Sequence, residues 1–264
     1  MARQDGLIQL TGSVGNLSFY KTQDGYLVRK KGAISGDRVK SDPAFARTRE
    51  NATEFARAGR AGKLLRTAFR PLLQSHSDNR VTSRLAGAMV KVIKADAINS
   101  RGERNVVDGN TALLEGFEFN QNASLKTTFA PPIGAAIDRP TGNMVVSVPA
   151  FSPAEMISAP DGATHFRLKA SGAAIDFEGN IWSVAIAESA DLSLGNKMLE
   201  PLQLSLTIAS ASEHPLFLIF GIEFLQLTKS GSRHPLNNGA FNAMAIAKVD
   251  DPATSDLLPD EKKE

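Results

Sequence analysis

The chain has 264 residues, 42% of them hydrophobic, enough to bury a sizeable core in one large or two modest domains. It contains no cysteine, which excludes a disulfide framework and any thiolate metal site. The formal net charge of +2 conceals a division: residues 1–110 carry 20 basic and 10 acidic side chains, whereas residues 111–264 carry 10 and 18. Opposite signs in the two halves imply either a basic module for a polyanion or two surfaces that attract one another, within a molecule or between copies.

The opening MARQDGLIQL lacks the basic-then-apolar layout of a secretory signal, and no run reaches the roughly 20 apolar residues that span a bilayer. A cytoplasmic protein without a membrane span, free or part of an assembled particle, is the expectation. Leu17 and Phe19 alternate in one run and Tyr26 and Val28 in the next, with Asp24-Gly25 as turn chemistry between them, so a β-hairpin is predicted. It ends in Arg29-Lys30-Lys31, a concentrated positive charge on an element too small to be stable alone.

After a loop from Gly32 to Gly36, Ser41-Asp42-Pro43 reads as a helix start, with a capping residue and proline at the first helical position. The helix is expected to run to about Arg70. On a helical wheel Phe55, Ala58, Gly62, Leu65, Phe69 and Leu72 form its apolar side, opposite Arg49, Arg60, Lys63, Arg66 and Arg70. A second helix, Asn79 to about Ile98, sets Val81, Leu85, Met89 and Val92 against Arg80, Arg84, Lys91 and Lys94. The short Gln74–Asp78 connection favours an antiparallel pair. Arg101 to Asn110 reads as a linker.

From residue 111 the pattern turns to β. Strands are expected at Phe117–Phe119, Leu125–Phe129, Met144–Val148, His165–Ala170, Ile181–Ala187, Leu202–Ile208, Leu216–Gln226 and Phe241–Val249, with sandwich-like spacing. Leu216–Leu225 is too apolar for a one-sided strand and must be covered on both faces or across an intersubunit contact. The tail from Asp250 to Glu264 has little to pack.

Gly12-Ser-Val-Gly-Asn-Leu-Ser-Phe-Tyr20, the Gly25 turn with Val28-Arg29, and Asp42-Pro43 through Arg47 and Asn51 together resemble a family of uncharacterised bacterial proteins. Gly162-Ala-Thr-His-Phe166, Ile222-Glu-Phe224 and Leu236-Asn-Asn-Gly-Ala-Phe-Asn242 fit the same resemblance, which covers most of the chain and implies no enzymatic activity.

Catalytic chemistry is not legible. His76, His165, His214 and His234 lack the spacing that places two metal ligands on one helical face. Gly12-Ser-Val-Gly15 lacks the lysine of a phosphate loop, and neither Ser171-Gly nor Ser230-Gly makes a nucleophile elbow. Asp176 and Glu178 alternate onto one side of a strand and read as surface acids. Glu223 interrupts the most apolar stretch and needs a partner, for which Arg233 is the nearby cation. No cofactor or metal is implied.

The expected fold class is α+β: a basic hairpin and helical pair over 1–110, a mainly antiparallel acidic β-sandwich over 111–249, and a flexible tail over 250–264. The expected role is a non-enzymatic structural protein whose copies associate into a filament, tube or shell through opposite charges and strand addition. The alternative is binding of DNA or RNA by the basic half, and a sugar-binding sandwich ranks behind it. Under either of the first two readings the working residues are Arg29, Lys30, Lys31, Arg49, Arg60, Lys63, Arg66, Arg80, Arg84 and Lys91. Phe19, Tyr20 and Tyr26 would supply hairpin contacts.

Overall fold

A computed structural model describes residues 1–32, 34–76, 78–228 and 232–252. The chain opens with four short strands, β1 (Ala2–Arg3), β2 (Gly12–Val14), β3 (Leu17–Thr22) and β4 (Gly25–Lys30), in one antiparallel sheet ordered β1-β4-β3-β2. The predicted hairpin is its centre, with Phe19 opposite Val28 and Thr22 opposite Gly25. Gly25 has φ +113°, a conformation that favours glycine and closes the turn. The sheet exceeds the hairpin because the Gln4 side chain donates to the Leu10 and Leu27 carbonyls and accepts from the Leu10 N–H, binding the preceding segment to β4.

Part of the stretch read as loop is helical: α1 spans Gly36–Ser41, capped by the Ser35 hydroxyl, which accepts from the Arg38 N–H. The capping residue before the proline is Asp42: it accepts from the Ala44 N–H and opens a 3-10 turn, Pro43–Phe45, that leads into α2 (Ala46–Ala68). That backbone bond, then the Arg38 guanidinium, holds the Asp42 carboxyl below its usual range. Pro71, in the first turn of a separate short helix, α3 (Arg70–Leu73), has no N–H with which to continue α2. The helix α4 (Val81–Lys94) is shorter than expected. Beyond it the Asp96 carboxylate accepts from the N–H groups of Ile98, Asn99 and Asn105 and turns the chain away.

Ala58, Gly62, Leu65, Phe69 and Leu72 are buried as expected, as are Val81, Leu85, Met89 and Val92 on α4. Gly62 faces Leu85 of α4, and a Cβ there would sit 3.4 Å from Leu85 Cγ, in van der Waals contact. Phe55 departs from the wheel and is 60% exposed. Its neighbour Glu54 is buried instead, accepting from the Gly102 N–H and lying near Arg104.

The remaining elements are α5 (Leu125–Thr128), β5 (Gly134–Asp138), β6 (Asn143–Val148), α6 (Pro153–Met156), β7 (His165–Asp176), β8 (Ile181–Glu188), β9 (Leu192–Ser193), β10 (Leu202–Thr207), β11 (Leu216–Leu227), β12 (Arg233–Pro235) and β13 (Ala243–Asp250). Strands β10-β6-β5 make one antiparallel sheet. The larger sheet is built on the long β7/β11 pair, with β8 and β9 beside β7 and with β12 and β13 beside β11. The expected strand at Leu125–Phe129 is a helical turn, because the Glu118 carboxylate accepts from the Leu125 N–H and the Ser124 hydroxyl and so acts as a cap from outside the helix.

The larger sheet has two covered faces. Phe217, Ile219, Ala173 and Ile175 pack with the helical residues, whereas Leu218, Phe220, Ile222 and Phe166 pack with Met144, Val146, Leu204 and Leu206 of the smaller sheet. Both faces of β11 are therefore covered within its own chain, and its apolarity leaves nothing for a neighbouring copy. Contacts divide the chain into a unit of Met1–Asn51 and a second from Ala52 onward. The linker region near residue 110 lies inside the second unit, because the apolar stripes of α2 and α4 are buried against the sheet. Asp251, placed in the tail by the sequence, is buried and accepts from both the N–H and the hydroxyl of Thr111; residues 253–264 lie outside the described residues.

Candidate functional site

Among the described residues of Met1–Asn51, none is buried. Leu7, Ile8, Leu10, Val14, Leu17 and Ile34 are exposed large apolar side chains. A sheet of this size gains stability by burying one face. Phe19, Tyr20 and Tyr26 are half-buried. The rings carry the sheet's own cations, with Lys21 5.3 Å from the Tyr26 centroid and Arg29 5.6 Å from that of Tyr20. Lys30 and Lys31 are exposed and make no ion pair among the described residues.

A second uncovered surface lies in the unit from Ala52 onward. Strand β8 pairs with β7 on one side and has no strand partner on the other among the described residues. Trp182, Val184 and Ile186 stand opposite Ile175, Ala173 and Ser171, so they share the face that the helices cover over β7 and β11. They fall outside that buried core, with exposures of 40%, 39% and 42%. Ile181 adds a fourth exposed apolar side chain. The signal was present in the sequence: Ile181-Trp-Ser-Val-Ala-Ile-Ala187 is apolar at positions belonging to both faces, yet only the folded sheet shows which positions stay uncovered.

The ten predicted cations have different surroundings. Arg29, Lys30 and Lys31 belong to the end of β4 and the residue after it. Arg49 donates to the Val39 and Asp42 carbonyls and so braces the start of α2. Arg60, Lys63 and Lys91 are exposed and without ion pairs among the described residues; Arg66 is half-buried, and Arg80 is exposed beside the first turn of α4. Arg84 is turned inward: it donates to the Glu118 and Phe119 carbonyls, pairs with Asp78, and lies 5.2 Å from the Phe117 ring centroid.

Glu223 pairs with Lys169 at 2.8 Å rather than with Arg233. From there a chain of charges crosses the sheet: Lys169 to Glu188, Glu188 to Arg167, Arg167 to Asp191, and Asp191 to Arg233. Burial pushes the Asp191 carboxyl up, but Arg167 and Arg233 together hold it below its usual range. Several acids of the negative half are thus neutralised internally. Glu178 is exposed at the β7–β8 turn, while Asp176 accepts from the Glu178 and Gly179 N–H groups and shapes that turn. Facing this network electrostatically is His76, fully buried, its Nδ1 bonded to the Leu72 carbonyl and its Nε2 without a partner among the described residues.

Among the described residues no helix is long and apolar enough to cross a membrane, and no group of three or more His, Asp or Glu side chains is placed to hold a metal ion. No family model, curated protein or solved structure matches the chain, so the resemblance noted in its opening and later stretches brings no relative for comparison.

Proposed function

We propose that the protein is a non-enzymatic structural component whose copies associate, the N-terminal sheet of one copy packing on the uncovered β8 edge of the next. The observation that carries this reading is the N-terminal segment without a single buried residue, which exposes Leu7, Ile8 and Leu10 of the β1–β2 connection and Val14 and Leu17 of the sheet. Covering these side chains stabilises by roughly 25 cal/mol per Å² of apolar surface removed from water. The β8 edge offers the matching surface, an unpaired strand beside an apolar row of Trp182, Val184 and Ile186. Charge supports the same pairing, with Lys30 and Lys31 at one surface and the exposed Glu178 at the turn that leads into the other. A donor surface and an acceptor surface at different places on one chain make a heterologous contact, which propagates into a filament or tube, or closes into a ring or shell.

Sedimentation velocity and light scattering across a salt series, with negative-stain images of the same samples, test the reading. Full-length protein is expected to form large regular particles at low salt that shrink as salt rises. Deletion of residues 1–32, and separately the pair Val184→Lys and Ile186→Lys, are each expected to leave particles no larger than a monomer of 28.2 kDa or its truncated equivalent. A full-length chain that remains monomeric at every salt concentration overturns the proposal.

A further inference from the structure

At the junction of α2 and α3 the chain forms an open hollow of about 390 Å³ whose lining includes Lys63, Arg66, Arg70, Leu73, Gln74 and Val81. Three cations line it and no carboxylate does. None of the three has an ion pair among the described residues, in contrast to Arg57, Arg84 and Arg104 of the same region, which are paired with Glu103, Asp78 and Glu54. Arg66 Nε is also buried without a hydrogen-bond partner among the described residues. A guanidinium without an ion pair is matched best by an oxyanion, which accepts from its planar N–H groups.

We infer that this hollow binds the phosphoryl groups of a nucleoside phosphate, either a free nucleotide or one unit of a polynucleotide strand. Lys63 and Arg66 stand one turn apart on α2, and Arg70 opens α3 just past the break, so the three cations converge on the hollow from two helices. Three cations suit two neighbouring phosphoryl groups better than one isolated phosphate. Two of the three cations are arginines, whose planar fork takes two phosphate oxygens at once. Leu73 and Val81 give the hollow an apolar side for sugar or base, and Gln74 brings an amide able to donate and accept. The hollow's volume lies in the range of small-ligand sites, about 300–1,000 Å³. This site is independent of the assembly contact, so failure of either leaves the other standing.

The test is fluorescence anisotropy of a short labelled oligothymidylate with the full chain across a salt series, with ADP and unlabelled oligonucleotide as competitors. Neutralising the site with Lys63→Gln, Arg66→Gln and Arg70→Gln together is expected to weaken binding at least about tenfold and to reduce the log–log salt slope by about 2. The control Lys30→Gln with Lys31→Gln, outside the hollow, is expected to keep affinity within about twofold. Displacement by ADP identifies a free nucleotide as the source, and displacement by oligonucleotide alone identifies a strand; both uphold the site. Arg70 is exposed, so Arg70→Gln by itself separates binding from folding and is expected to weaken affinity about threefold. Absence of binding by the unaltered chain to both probes, or unchanged affinity in a folded Arg70→Gln variant and the triple variant, overturns the inference.

Discussion

Arg84→Ala is expected to destabilise the protein by about 3–5 kcal/mol, measured as a fall in urea midpoint at constant slope. The arginine side chain is only 24% exposed and its partner Asp78 only 6%. Burial pushes the Asp78 carboxyl up, but the N–H groups of Gln121 and Arg80 and the Arg84 guanidinium hold it below its usual range. Truncation therefore leaves a charged carboxylate without its cation. The same change strands the Glu118 and Phe119 carbonyls and removes the cation over Phe117. Arg84→Lys is expected to recover less than half of the loss, because a single ammonium does not reproduce a fork that reaches two carbonyls and a carboxylate. A loss below about 1 kcal/mol for the alanine variant, the size expected of an exposed pair, would sink this account.

His76 is expected to make stability fall as pH drops from about 6.5 to about 4, by as much as about 3 kcal/mol in total. Burial is the main cause of its lowered pKa of about 4; the bond to the Leu72 carbonyl and the nearby Glu223 oppose it, and Lys169 reinforces it. The sign follows from proton counts. Between pH 6.5 and 4 the unfolded chain holds a proton on this imidazole that the folded chain excludes, so acid favours unfolding, and the effect is complete below the folded-state value. The carboxylates Asp42, Asp78, Asp96 and Asp191, all held below their usual range, act in the same direction, and their contribution begins to be lost below about pH 5, so it overlaps the lower end of the histidine window. In His76→Gln the denaturation midpoint is expected to be nearly flat between about pH 6.5 and about 5, above the range of the carboxylates, whatever its absolute level. An unaltered pH slope in the variant would assign the titration to other groups.

The two effects concern residues whose importance does not show in linear order. Arg84 occupies a wheel position in line with Arg80, Lys91 and Lys94, which periodicity assigns to a solvated face. What turns it inward is a segment 34 and 35 residues away that brings two carbonyl oxygens within reach. His76 sits in a polar connection, and burial makes it titrate unusually. Glu223 carried a legible demand for a cation, but sequence proximity favoured Arg233; antiparallel pairing of β7 and β11 places Lys169 close enough instead.

Elements governed by neighbouring residues were legible. Asp24-Gly25 determined the hairpin because turn chemistry is local, Asp42-Pro43 marked the capped 3-10 turn that leads into α2, and the 3.6-residue period of Val81, Leu85, Met89 and Val92 determined the buried face of α4. Uninterrupted apolarity likewise determined that β11 must be covered on both faces. Tertiary structure alone decided what did the covering. It made Leu125–Thr128 a helical turn through the distant Glu118 carboxylate, and made Gly134–Asp138 a strand by pairing with β6, despite residues of low strand preference. It also left one edge of β8 without a strand partner among the described residues. The physical reason is range: hydrogen-bonded turns and helical periodicity act over a few residues, whereas burial and charge pairing depend on which distant segments arrive at the same place.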